Sequence, residues 1–186
     1  MSKNNLLRDF SFSQNKKNII NDYIFSEYEK NVGIKKLIRN KSRIIDDLVK
    51  KSWIKNNFQE KGISLIAVGG YGRSELFPQS DIDILILIDN YSDKNIRKNI
   101  ENFIADIWHL KTSVGHSVRT TKDCVKAVND DVTTYTNILD SRLIIGDKIL
   151  YKCLLNSIEA KKIWSKKKFL LAKKEEQKNR YNKYSN

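Results

Sequence analysis

The sequence predicts an α/β (α+β) protein in which a small mixed β-sheet is flanked by helices, with helices before the sheet and a helical segment after it. An apolar strand, a glycine pair and a second apolar strand follow one another between residues 63 and 89. On both sides of this region, apolar residues recur every three to four positions, which is typical of helices that pack one face on a core.

Two helices are predicted before the first strand. Residues 16–30 and a longer segment from 34 to 53 have helical periodicity, and Gly33 separates them. The apolar stripe of the second helix is predicted to pack on the sheet. Its opposite face is basic and could contact nucleic acid, but it lacks the interleaved aromatic residues that single-strand binders use. Nucleic acid is therefore an unlikely partner.

The sheet and the segments after it are predicted from short apolar runs. The run IDILILI, which begins at Ile82, is apolar on both faces and predicts a central strand. Thr121 is predicted to cap a helix, and Gly146 is predicted to end a helix that covers 130–145. The remaining predictions are strands at 63–68 and 112–119, and helices at 94–110, at 150–158 and after 161. We divide the chain into an N-terminal helical segment (1–60), a core (61–128) and a helical segment that is incomplete at its end (129–186).

Asp81 and Asp83 are the strongest candidates for a functional site. They lie two residues apart, so both carboxylates emerge on one face of a strand, where they repel each other unless a cation lies between them. Mg²⁺ (or Mn²⁺) is expected, because Mg²⁺ takes oxygen ligands and shares them with substrate phosphates. Gly69 and Gly70, which are separated from Asp81 by ten residues, have no side chains to keep phosphates from the backbone amides. Together these are parts of a phosphoryl or nucleotidyl transfer site.

Each part also has a purely structural interpretation. A glycine pair after an apolar run can be just a turn, and Asp-x-Asp can be a solvated strand edge or a cap. Carboxylates at the head of a buried strand are costly unless they face a cleft or a cation, which favours the metal–nucleotide interpretation. Arg73 could bind a triphosphate, or it could pair with Glu75 or Asp81. Ser80 could cap, bind phosphate or turn the chain.

Composition places the chain in a broad class. Its 186 residues suffice for one domain with its own core, and its formal charge is +13. This charge suits nucleotide partners, although Lys-rich exposed helices produce the same number. Cys124 and Cys153 have no short metal-ligand spacing, which favours a reducing compartment. No membrane span and no signal-peptide core are visible, so a cytoplasmic protein without a membrane partner is expected.

Three blocks of sequence resemble a known family. The pattern GG-x₁₀-DID after an apolar strand resembles the nucleotidyltransferase superfamily that includes DNA polymerase beta. The fuller string GGYGRSELFPQSDIDILIL is similar to one branch, the bifunctional PII uridylyltransferase/uridylyl-removing enzymes. The blocks VGHSVRTTKDC (114–124) and DVTTYTNILDSRLIIGD (131–147) match the same branch, and the last helix resembles the helix that follows in those enzymes.

The resemblance implies transfer of UMP from UTP to a tyrosine of the nitrogen-regulatory protein PII, with release of pyrophosphate. Asp81 and Asp83 would be the catalytic metal ligands. The nucleotide would be bound by glycines and polar residues of the first block, which are Gly69, Gly70, Arg73 and Ser80. The expected partners are therefore UTP and PII.

The third strand departs from the superfamily pattern. Superfamily members commonly place a third carboxylate there, but Gly115 and His116 occupy this region. His116 could act as a base or ligand, because the unperturbed pKa of histidine is near 6.5, or it could be a hydrogen-bonding residue at a strand edge. Arg119 is a further possible site residue. The catalytic base is left unassigned.

Family members are several times longer and carry an HD phosphohydrolase domain and two ACT domains. The 186 residues contain no His-Asp dipeptide, so uridylyl removal and glutamine sensing are not expected from them. We expect a fragment of a longer reading frame or a degraded remnant. The alternatives are another nucleotidyltransferase, such as an adenylyltransferase on a protein or small molecule, and a non-catalytic nucleotide-binding remnant.

Overall fold

The structure of the protein, a computed structural model, describes residues 16–58, 61–92, 94–109, 113–160 and 163–184. Within these ranges the elements follow in the order α1 (Lys16–Glu29), α2 (Ile34–Lys55), β1 (Ile63–Ala67), α3 (Gly69–Gly72), β2 (Ile82–Ile88), α4 (Lys94–Trp108), β3 (Val114–Thr120), α5 (Thr121–Asp130), α6 (Val132–Leu139), β4 (Arg142–Gly146), α7 (Lys148–Ala160) and α8 (Lys166–Tyr184). Chain contacts divide the described residues into two compact units, the first with 16–58, 74–83, 94–109 and 113–115, the second with 61–73, 84–92, 116–160 and 163–184.

Helices α1, α2 and α4 form the first unit. The predicted apolar stripe of α2 is buried, as expected, but it also contains Lys41, which is only 5% exposed. Near the end of α2, Trp53 stacks on Phe58 with ring centroids 3.9 Å apart and meets Phe103 of α4 edge to face at 5.2 Å. The Asp106 carboxylate of α4 accepts hydrogen bonds from the last turn of α2, including one of 3.0 Å from Lys55 Nζ. Aromatic packing and this ion pair hold α2 against α4.

The sheet has the strand order β3-β2-β1-β4, and β1 is antiparallel to both β2 and β4. The boundary between the units passes through β2 after Asp83 and through β3 after Gly115. In the second unit, buried sheet residues pack against helices α5, α6 and α7, and the cluster comprises Ile66, Leu85, Leu87, Cys124, Val128, Ile138, Leu154 and Ile158. The predicted α/β architecture, a small mixed sheet flanked by helices, is confirmed.

Two local predictions were wrong. The segment 130–145 is not one helix, because α6 ends at Leu139 and residues 142–146 form β4, which pairs with β1. A short segment with three apolar residues, RLIIG, is ambiguous between helix and strand, and here the edge of β1 decides in favour of the strand. The cap of α5 is Thr120 rather than Thr121. Its side chain accepts from the Asp123 amide, while the Asp123 carboxylate accepts from the Thr120 amide, which makes a capping box.

Within the second unit, helix α8 contacts α6 through an aromatic pair in which the ring centroids of Phe169 and Tyr135 lie 6.3 Å apart. Just before α8, Trp164 Nε1 donates a 2.7 Å hydrogen bond to the Val128 carbonyl. Across the described residues, no helix combines the length and apolar character that a membrane crossing requires. The division of the chain at residues 60 and 128 stays a prediction.

Candidate functional site

Asp81 and Asp83 lie at the start of β2, in the part of the chain that belongs to the first unit. Asp81 immediately precedes the strand and is exposed, whereas Asp83 is its second residue and is half-buried. Burial raises the pKa of Asp83, and the negative charge of Asp81 raises it further. The predicted pair of carboxylates is therefore close enough to interact, and the ionised form of Asp83 is disfavoured until a positive charge compensates it.

Gly115 of β3 lies directly against the Asp83 carboxylate. A Cβ atom placed on Gly115 would be 2.2 Å from Asp83 Oδ1, far inside the distance of a normal contact. The side chain of Asp83 thus occupies the space that any larger residue at position 115 would need. The sequence showed only that position 115 lacks an acid. The structure explains why this residue is a glycine, because a side chain there would clash with the Asp83 carboxylate.

The backbone on both sides of Asp81 is held by hydrogen bonds. The Ser80 amide donates to the Phe77 carbonyl at 3.1 Å, and the Ile82 amide donates to the Ser113 carbonyl at 2.9 Å. Lys41 Nζ donates to two carbonyls, those of Phe77 and Pro78, at 2.8 Å each. Ser80 was predicted to cap, to bind phosphate or to turn the chain, and its backbone amide closes a turn.

The glycine pair of the second unit begins a single helical turn, α3. Gly69 has φ +57°, a left-handed conformation that side-chain-bearing residues rarely adopt. The turn is closed by the amides of Gly72 and Arg73, which donate to the carbonyls of Val68 and Gly69. A Cβ on Gly72 would lie 2.1 Å from the Asp140 carbonyl oxygen, so this position also requires glycine.

Residues 140–142 hold this turn. Arg73 pairs with the Asp140 carboxylate at 2.5 Å, a partner that the sequence analysis did not consider. The Arg142 guanidinium donates to the carbonyls of Gly72 and Tyr71 at 3.3 Å and lies 5.6 Å from the centre of the Tyr71 ring. Because Arg142 lies opposite Ala67 in the β1–β4 pairing, strand β4 delivers these donors to the end of β1.

His116 and Arg119 are both on β3 in the second unit. His116 is exposed, and strand alternation places it on the face of β3 opposite to that of Gly115. Arg119 is half-buried near the start of α5. The pKa of Asp123 there is lowered chiefly by its hydrogen bonds with Thr120, and the charge of Arg119 contributes. The site roles predicted for His116 and Arg119 stay predictions.

Residues 49–145 match the family model of the nucleotidyltransferase domain. This chain belongs to the nucleotidyltransferase family. The matched range contains the glycine turn, the aspartate pair, strands β1 to β3 and all of β4 except Gly146, and the chemistry typical of this family is nucleotidyl transfer.

Relatives of this nucleotidyltransferase confirm the resemblance to the uridylyltransferase branch. The bifunctional uridylyltransferase/uridylyl-removing enzyme of Pseudomonas fluorescens (strain Pf-5) is 40% identical over 153 residues, which cover 82% of this chain and 17% of the relative. The enzyme of the same name from Stutzerimonas stutzeri (strain A1501) is 38% identical over 155 residues, with the same coverage. The chain therefore spans 17% of the length of these relatives. A solved toxin–antitoxin complex with AMP-PNP matches with a TM-score of 0.38 and 18% identity, covering 62% of this chain and 85% of that one.

The residues of this nucleotidyltransferase fit a divalent cation. Among the side chains that the structure describes, no group of three or more His, Cys, Asp or Glu could hold a metal ion. A cation at this site would be held by Asp81 and Asp83. Two carboxylates suit Mg²⁺, which usually completes its coordination with waters and substrate phosphates. Burial and the charge of Asp81 raise the pKa of Asp83, and a bound cation would favour its ionised form.

Sequence reasoning located the paired carboxylates and the glycine turn, but it missed three residues that support them. Gly115 was seen only as a missing acid, and Arg142 only as part of a matching block. Lys41 was not singled out, although a lysine inside an otherwise apolar stripe at helical spacing was a usable signal. Such a residue is buried only at a cost, unless its charge is used.

Proposed function

We propose that this domain is a uridylyltransferase that moves UMP from UTP to a tyrosine hydroxyl of the PII protein and releases pyrophosphate. The observation that carries the proposal is the carboxylate pair, in which the Asp83 carboxylate packs against Gly115 and interacts electrostatically with Asp81. Two carboxylates fit a site that shares its cation with a triphosphate. The names of the relatives favour UTP over other nucleotides.

In the proposed reaction, the tyrosine oxygen forms a bond to the α phosphorus of UTP while the bond from that phosphorus to pyrophosphate breaks, and the hydroxyl proton is lost. Asp81 and Asp83 would hold Mg²⁺ or Mn²⁺, which when bound neutralises charge on the reacting phosphates. The backbone of Gly69 and Gly70 would bind the triphosphate, because glycines have no side chains that keep phosphates from the backbone amides.

The polar residues next to these groups would assist binding. Ser80 directly precedes Asp81, and its position suits a hydrogen bond to phosphate. Arg73, whose guanidinium pairs with Asp140, would bind phosphate through the forked geometry of its N–H donors. We further propose that the protein acts in the cytoplasm, where UTP and a nitrogen-regulatory protein are both present.

The test is to incubate the purified chain with PII, labelled UTP and Mg²⁺, and to measure the intact mass of PII. A gain of one uridylyl group is expected, together with loss of the gain in the Asp81→Asn, Asp83→Asn double variant. The positive control is the Pseudomonas fluorescens relative, tested on the same PII preparation. If the relative modifies PII and this chain does not, the proposed function is wrong. Labelling from ATP instead of UTP would indicate an adenylyltransferase.

A further inference from the structure

Lys41 is a buried cation in the first unit that the proposed reaction does not use. It lies in the middle of α2, is only 5% exposed, and is surrounded along the helix by the buried stripe that includes Ile38, Ile44 and Ile45. Burying an ammonium group is costly unless it is hydrogen-bonded, and an apolar residue would pack at the same position without that cost. The presence of lysine at this position therefore indicates that its charged ammonium group is needed for a specific interaction.

The ammonium group acts on the segment that leads into Asp81. Lys41 Nζ donates to the carbonyls of Phe77 and Pro78 at 2.8 Å, across 36 and 37 positions of the chain. The Phe77 carbonyl also accepts from the Ser80 amide at 3.1 Å, so Lys41 binds the acceptor that closes the turn before Asp81. Hydrogen bonds from a charged donor are about twice as strong as neutral ones, so this lysine is well suited to fix the turn.

Packing alone does not fix this turn. A cavity of about 70 Å³ lies beside it, lined by residues of the turn and of α2 that include Ser80, Ile45 and Lys41 itself. The side chain of Phe77 is 52% exposed, so it provides little anchoring by burial. Leu76, directly before the turn, is fully buried, so packing fixes the start of the turn, and the two bonds from Lys41 fix the carbonyls of residues 77 and 78.

Asp81 therefore lies between two anchored points. On one side the turn 77–80 is held by Lys41, and on the other the Ile82 amide is bound to the Ser113 carbonyl at 2.9 Å. A carboxylate that must share a cation with Asp83 needs a backbone fixed on both sides, since a displacement of about 1 Å can cost about 100-fold in rate. Release of one anchor would leave Asp81 attached to β2 but free to change its direction.

We infer that Lys41 is a positioning residue that fixes the direction of the Asp81 carboxylate through the turn 77–80. This inference rests on the proposed function only for its effect on transfer. Its structural part concerns the turn and the affinity for a divalent cation, which are both measurable without a substrate.

The test compares Lys41→Met with Lys36→Met. Methionine keeps the length and apolar stem of lysine and removes the donor, and Lys36 is an exposed lysine of the same helix, which makes it a matched control. Amide hydrogen exchange by mass spectrometry and Mn²⁺ binding by calorimetry are measured on the whole chain. In Lys41→Met, exchange of the Ser80 amide is expected to be at least tenfold faster and Mn²⁺ binding at least tenfold weaker. In Lys36→Met, both are expected to be unchanged.

The transfer assay adds a second readout. In Lys41→Met, kcat for UMP transfer is expected to fall at least tenfold while KM for UTP changes less than threefold, because the glycine turn is untouched. A variant that was merely less well folded would lose active molecules without weakening Mn²⁺ binding of the folded fraction. Unchanged exchange and Mn²⁺ affinity in Lys41→Met would overturn the inference, whatever the activity. If the wild-type chain transfers nothing but Lys41→Met shows both substrate-free effects, the inference stands and the proposed function fails.

Discussion

Replacing Gly115 by alanine is the sharpest perturbation of the candidate site. The new Cβ would be 2.2 Å from Asp83 Oδ1, whereas ordinary contacts begin at 3.4 Å. The carboxylate oxygen must therefore move by about 1.2 Å, the difference between these two distances. Asp83 is half-buried and its oxygen is the end of a side chain, so rotation of the carboxylate is the easiest response.

The fold should tolerate the change. Gly115 has no positive φ that would exclude alanine, and alanine in a strand costs less conformational entropy than glycine, by roughly 0.5–1 kcal/mol. The function should not tolerate it. A displacement of about 1 Å at a reacting group costs about 100-fold in rate, and a redirected Asp83 can no longer share a cation with Asp81.

The assay measures Mn²⁺ affinity by calorimetry and UMP transfer to PII by intact mass. Gly33→Ala is the matched control, because a Cβ on Gly33 would meet no atom within 4 Å and its φ of −57° suits alanine. We expect Gly115→Ala to lose about 100-fold in transfer and to bind Mn²⁺ more weakly, while Gly33→Ala keeps both properties. Wild-type Mn²⁺ affinity in a folded Gly115→Ala variant would refute the steric argument, even if transfer were never observed.

Three further predictions concern the same residues. Asp81→Asn combined with Asp83→Asn should reduce Mg²⁺-dependent transfer by at least on the order of 1,000-fold without unfolding the chain, and wild-type turnover in that variant would exclude the metal site. Because the folded-state pKa of Asp83 is raised, its contribution to the free energy of unfolding is largest below the unfolded-state pKa and is lost as pH rises through the folded-state pKa. In EDTA, the melting temperature of the wild type minus that of Asp83→Asn should therefore decrease from acid to neutral pH, and identical pH profiles would contradict this. Arg142→Ala removes the donors to Tyr71 and Gly72, so it should cost about 1–3 kcal/mol in urea unfolding and raise KM for UTP. Arg142→Lys should restore only part of the lost stability and affinity for UTP, because lysine lacks the forked geometry of the guanidinium. Full activity in Arg142→Ala would show that the glycine turn needs no support from β4.

Local sequence determined much of this protein. The apolar run from Ile82 to Ile88 predicted a buried central strand, and the structure places that strand between β1 and β3. The stripe of α2 followed from helical periodicity in the same way. The close spacing of Asp81 and Asp83 predicted interacting carboxylates, and the pKa of Asp83 is raised first by burial and then by the charge of Asp81. These features depend on neighbours within a few residues, so a pattern in the chain suffices to predict them.

Tertiary structure alone decided the features that join distant positions. The segment 142–146 became a strand because the edge of β1 was there to pair with it, and its five residues carry no period that distinguishes a strand from a helix. Only the fold brings Gly115 against Asp83, Arg142 against the glycine turn, and Lys41 against the carbonyls of residues 77 and 78. In each case the partners are about 30 to 70 positions apart in the chain, and no local periodicity can report a contact over such a separation.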